Sequence, residues 1–158
     1  MCAVVPEGVF LAIWESHPDF RAALRCPISA HPWIEPAAWE VETAYQPFEH
    51  GAMVWSNKIG WFAQPVIYVL YNDGTFQRFE DMFDRATDPV AGEEASPEGL
   101  YEPILGFGKV WREQAGVREA LGWATDEEVP GAGRFQIFED GAMTWLSQRG
   151  ETYVFLDD

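Results

Sequence analysis

The chain has 158 residues, 47% of them hydrophobic and 15% aromatic, which is enough to bury a core as one domain or two small ones. Its 26 acidic residues against 10 basic ones give a formal net charge of −16, which repels phosphate backbones and offers no counterion-release gain, so nucleic acid is not an expected partner. No run of 18 apolar residues and no charged segment followed by an apolar one appears, so neither membrane insertion nor a signal peptide is read.

In chain order, Trp14, Phe20 and Leu24 recur at near-helical spacing with Asp19 as a helix-start residue, which predicts one or two short opening helices. Cys2 and Cys26 lack the spacing of a zinc site or a redox pair, and Cys26 reads as a small buried hydrophobe with a bridge to Cys2 left open. Tyr45 to Ser56 reads as a hairpin turning at Glu49-His50-Gly51, followed by a strand near Tyr68 to Tyr71. Asn72-Asp73-Gly74 is a hairpin signal leading into a fourth strand over Thr75 to Phe79. Residues 86–99, rich in Pro, Gly and acid, read as an exposed linker. Beyond it Trp111, Val117 and Leu121 repeat the helical spacing with Gly116 as a start residue. Phe135 to Phe138, a turn at Glu139-Asp140-Gly141, Ala142 to Leu146 and Glu151 to Phe155 then complete a second meander.

These elements form two colinear copies of one pattern. Ile13-Trp14 and Pro18 to Leu24 align with Val110-Trp111 and Ala115 to Leu121, with Trp, Arg, Ala and Leu identical. Tyr45 to Trp55 aligns with Phe135 to Trp145, with 7 of 11 pairs identical, and Tyr68 to Asp73 aligns with Tyr153 to Asp158. The expected fold is mainly β with short helices, a tandem repeat of helix-plus-β-meander units packed as blades or paired meanders. The expected division is residues 1–85 as unit one, 86–99 as linker and 100–158 as unit two. The second copy stops where the first continues into its fourth strand, so it reads as a piece of a longer repeat chain, or as a unit whose last strand another copy supplies.

Leu121-Gly122-Trp123-Ala124-Thr125-Asp126-Glu127-Glu128, then Gly133, then Phe135-Gln136-Ile137-Phe138-Glu139-Asp140-Gly141-Ala142-Met143-Thr144-Trp145 resembles the LGFP repeat family. Gly106-Phe107-Gly108-Lys109-Val110-Trp111 looks like the segment that precedes the motif there. Ala124 stands where the family has proline, and Leu24-Arg25-Cys26-Pro27 keeps the proline and loses the glycine. The resemblance implies a repeat of secreted bacterial proteins, extracellular or at the cell surface, that attaches its carrier to cell-wall polysaccharide.

No catalytic set repeats between the copies, which favours a non-enzyme. His17 aligns with Gln114, His31 falls in an insertion, His50 aligns with Asp140, and the shared carboxylates Glu49 and Glu139 sit beside turns as caps. Gly106-Phe107-Gly108-Lys109 is followed by Val110 and lacks the spacing of a phosphate loop, and neither a metal nor a cofactor is expected. The aligned pairs Trp14 and Trp111, Trp55 and Trp145, Phe48 and Phe138, and Tyr68 and Tyr153 read as core. Trp33, Trp39 and Trp61 lie in stretches found only in the first copy and are the candidate ligand-binding residues, since an indole face stacks on a sugar ring. The expected function is cell-wall polysaccharide binding or adhesion. The alternatives are a subunit of an extracellular filament or surface layer, partnered by copies of itself, and an acidic intracellular inhibitor or decoy.

Overall fold

Two turns, at Glu49-His50 and Glu139-Asp140, reverse the chain between its longest strands and those that follow. The computed structural model describes residues 1–29, 33–57 and 64–157. Within these, the elements in chain order are α1 (Gly8–Ser16), α2 (Pro18–Leu24), β1 (Trp39–Phe48), β2 (Gly51–Ser56), β3 (Val66–Tyr71), β4 (Phe76–Glu80), α3 (Leu105–Glu113), α4 (Val117–Leu121), β5 (Val129–Phe138), β6 (Gly141–Leu146) and β7 (Glu151–Leu156). The fold is mainly β with short helices, and its strands follow the order β4-β3-β2-β1-β5-β6-β7 in one seven-stranded sheet. The pairs β1–β2, β2–β3, β3–β4, β5–β6 and β6–β7 are antiparallel.

The registers follow the aligned residues. Gln46 lies opposite Met53 and Phe48 opposite Gly51, while Gln136 lies opposite Met143 and Phe138 opposite Gly141. Both long strands begin earlier than the turn signals indicate. In β1, Glu40 and Glu42 point to solvent while Val41 and Thr43 are buried, a period-2 pattern that a solvated acidic stretch disguises. In β5, Pro130, Gly131 and Gly133 are residues that ordinarily mark a break, yet they lie in the strand. The helix α2 starts at Pro18, one residue before the expected Asp19, because proline's fixed φ suits the first helical position.

The chain gathers into two compact units, and neither is contiguous in sequence: one takes Met1–Glu42 with Gly131–Asp158, the other Thr43–Lys58 with Phe62–Pro130. The expected division follows chain order; the packing does not.

In the first unit, α1 and α2 bury Phe10 and Leu24 against Phe138 and Met143, with Ile13, Trp14, Phe20, Trp145, Val154 and Leu156 packed around them. The β5–β6 turn docks on the segment after α2. Glu139 N–H donates to Cys26 O at 2.9 Å, Asp140 N–H donates to Leu24 O at 3.1 Å, and Pro27 bridges Phe138. Cys2 and Cys26 form a disulfide with their Cα atoms 5.4 Å apart, which corrects the reading of Cys26 as a lone buried hydrophobe. The reversal between α1 and α2 returns the chain to its start, and the bond closes a loop with a sequence separation of 24. Such closure removes roughly 3 kcal/mol of unfolded-chain entropy in the loop-closure account.

In the second unit, α3 and α4 bury Phe107, Val110, Trp111, Val117 and Leu121 against Phe48, Met53, Ile67 and Val69. Here the β1–β2 turn docks on the segment after α4. Glu49 N–H donates to Trp123 O and His50 N–H to Leu121 O, both at 2.9 Å, and Phe48 bridges Ala124. Residues 86–99 are mostly exposed, as a linker would be, but they are tied down. Lys109 reaches Asp88 at 3.0 Å, Arg118 reaches Glu94 at 2.5 Å, and Gly92 N–H donates to Glu102 at 2.8 Å.

Each docked turn needs its glycine. A Cβ on Gly51 would lie 2.0 Å from Leu70 O and 2.8 Å from the Leu121 side chain; on Gly141 it would lie 2.1 Å from Phe155 O and 2.8 Å from Leu24. Gly51→Ala and Gly141→Ala are each expected to destabilise the protein by about 1–3 kcal/mol or more, read as a lower urea midpoint. Because each unit draws on two distant segments, residues 1–85 and residues 100–158 made as separate chains should show little native near-UV dichroism alone and recover it on mixing. Independent folding of either piece would contradict this packing.

Candidate binding site

Of the three candidate tryptophans, Trp33 is 94% exposed and is followed by Ile34 at 49%, an exposed indole beside an apolar neighbour. Trp39 opens β1 and is half-buried. Trp61 lies outside the described residues, as does His31.

The aligned aromatics divide more finely than a single core assignment allows. Phe48, Phe138 and Trp111 are buried, whereas Trp14, Trp55 and Trp145 are half-buried at the margins of their cores. Trp55 Nε1 donates to Asp81 Oδ2 at 2.9 Å. The shared turn carboxylates do cap backbone donors, though not those of their own turns. Glu49 Oε1 accepts from Trp123 N–H at 2.9 Å, and Glu139 Oε2 accepts from Cys26 N–H at 3.3 Å.

Trp14 and Trp111, which align in sequence, sit in two different environments. Trp111 is 1% exposed; its Nε1 donates to Gly122 O at 2.8 Å, and its ring meets Trp123 at 5.1 Å and 55°. Arg118 lies over both rings, 4.5 Å from Trp111 and 5.1 Å from Trp123, and its charge is met by Glu94. In the first unit Arg21 lies 5.3 Å over Trp14, but Cys26 stands where Trp123 aligns. A disulfide there occupies far less space than an indole. A groove of about 620 Å³ opens, lined by Met1, Cys2, Val5, Trp14, Arg21 and Arg25, and the buried Trp14 Nε1 has no hydrogen-bond partner among the described residues. Nothing in the sequence alone marked this groove, although the Cys26-for-Trp123 exchange was visible in the alignment of the copies.

Arg25 holds Glu139 at 3.1 Å and Asp140 at 3.3 Å, so its charge is balanced. Arg21 has no carboxylate partner among the described residues. In the second unit a smaller hollow of about 390 Å³ is lined by His50, Tyr71, Asn72, Asp73, Thr75 and Ala120. Hydrogen bonds from Thr75 hold the Asp73 carboxyl below the usual carboxylate range, as expected of a turn cap. His17 stacks on Phe20 at 4.9 Å. No group of three or more His, Cys, Asp or Glu able to hold a metal is found among the described residues, and no described helix is long and apolar enough to cross a membrane.

Glu128 is the carboxyl pushed upward, first by burial and then by the charge of Asp81. A folded-state pKa above the unfolded one means that the folded chain favours the protonated form. The associated stability is present below the unfolded value near pH ~4.3 and is lost as pH rises through the folded value. Glu128→Gln, which cannot ionise, should therefore melt higher than the parent at neutral pH, with the difference shrinking toward about pH 4. An equal gain at both pH values would remove ionisation as the cause. No protein-family model, no curated protein and no solved structure matches the chain.

Proposed function

We propose that the chain is a non-catalytic, tandem-repeat module of the bacterial cell surface that binds neutral wall polysaccharide through exposed indole. The observation that carries this reading is Trp33, whose ring is 94% exposed on a stretch that the second copy lacks. An indole face in water loses apolar surface when a sugar ring stacks on it, and two rigid side-chain angles keep the ordering cost low. The net charge of −16 opposes anionic polymers and leaves neutral glycan as the compatible wall component. The Cys2–Cys26 bond suits an oxidising, extracellular compartment, and the resemblance to LGFP repeats points the same way.

The repeat reading is part of this proposal. Its support is the shared register around Phe48–Gly51 and Phe138–Gly141 and the matching dockings at Leu121 and Leu24. On it, each copy's helix pair closes over the strands of the other copy.

Pull-down onto insoluble wall polysaccharide at low and high salt tests the function. The parent chain should bind with little salt dependence, and Trp33→Ala should lose most of the binding while keeping its melting temperature, because so exposed a ring stabilises little. Retention of Trp33→Ala at the parent level would remove Trp33 from the site. Failure of the parent to bind any wall preparation would shift the choice to a filament or surface-layer subunit that pairs through the β7 edge of the sheet.

A further inference from the structure

We propose that the groove beside Trp14 is a binding site for a small molecule consisting of a planar aromatic ring that bears a carboxylate. This goes beyond the polysaccharide reading and does not depend on it, since Trp33 takes no part.

The ligand chemistry is read from the second unit, where the same sequence positions are complete. There the space beside Trp111 holds an aromatic ring, Trp123, Arg118 lies over both rings, and a carboxylate, Glu94, holds that arginine. In the first unit the ring position is Cys26, tied back to Cys2, and the groove of about 620 Å³ lies beside Trp14. Arg21 sits over Trp14 as Arg118 sits over Trp111, without a carboxylate among the described residues. An aromatic carboxylate entering the groove supplies both missing partners. Its ring packs on the Trp14 face and the disulfide, and its carboxylate meets Arg21 in a charge-assisted pair. The volume lies within the range of small-molecule sites, and the walls are mainly apolar side chains with few convergent polar groups, as such sites require.

Two further observations mark the groove. Trp14 Nε1 is buried with no acceptor among the described residues, an arrangement that costs stability and that the other unit avoids by bonding Gly122 O. Arg25 adopts φ 63°, ψ −138°, a conformation suited to glycine, and the residue aligned with it is Gly122 at φ 75°, ψ −156°. An arginine kept in that conformation costs stability, whereas its ion pairs are largely exposed and contribute little. Its side chain serves instead as a wall of the groove, held in place by Glu139 and Asp140.

Calorimetric titration of the full chain with indole-3-propionate, and with indole-3-propionamide as the uncharged analogue, tests the proposal. The carboxylate should bind at one site with a sub-millimolar dissociation constant, and the amide about ten-fold more weakly. Arg21→Gln should weaken the carboxylate to the level of the amide while leaving the amide unchanged. Val5→Glu, at a wall residue that is 46% exposed and can change without disturbing the core, places a competing carboxylate at the groove and should weaken the acid by a similar factor even if Arg21→Gln folds poorly. Trp33→Ala should bind as the parent does. The proposal is overturned if the parent shows no binding at millimolar ligand, if acid and amide bind equally, if both groove variants keep the preference for the acid, or if Trp33→Ala abolishes binding.

Discussion

The structure rests on one close contact, made once in each unit: a hairpin turn whose glycine lies flush against a neighbouring strand's carbonyl and beneath a helix-terminal leucine. At Gly51 these are Leu70 O and Leu121, and at Gly141 they are Phe155 O and Leu24. No side chain fits at either glycine, so the turn can sit deep enough for its backbone N–H groups to reach the carbonyls after the helix. Helix pair and hairpin are thereby fixed by hydrogen bonds as well as by apolar burial. The turns hold the ends of α2 and α4, the helices that pack against those carrying Trp14 and Trp111.

Within this common frame the two units diverge through a few side chains. Where Trp123 fills the space beside Trp111, an aromatic pair capped by Arg118 becomes part of the core. Where Cys26 takes that place, a covalent bond to Cys2 replaces aromatic packing, and the neighbouring indole is left half-covered. The first solution stabilises by burial of surface, the second by restricting the unfolded chain, and only the second leaves open space in the folded state. Exchanging a large ring for a small, bonded sulfur at aligned positions turns a packing position into a recess.

Local chemistry made the hairpins legible. Glu-His-Gly and Glu-Asp-Gly between apolar runs, and Asn72-Asp73-Gly74, place the turns within a residue, and the 3.6-residue spacing of Trp, Phe and Leu places the helices. The origins of β1 and β5 were hidden by acidic alternation and by glycine and proline. The partner of each helix pair was not readable at all, and for a physical reason: when two sets of strands carry nearly the same residues, periodicity and burial pattern fit either one equally. The sequence separation of Cys2 and Cys26 likewise carries no information about a bond that depends on α1 and α2 turning back on each other. Trp33 could be picked out because it fell outside the matched blocks. The groove could not, because it arises from a residue smaller than its counterpart rather than from any residue that announces chemistry.

The disulfide also changes how the molecule would carry a mechanical load. Tension applied at Cys2 passes through the sulfurs directly to Cys26, so α1 and α2 are bypassed and the backbone between the two cysteines is contour length released only when the bond is reduced.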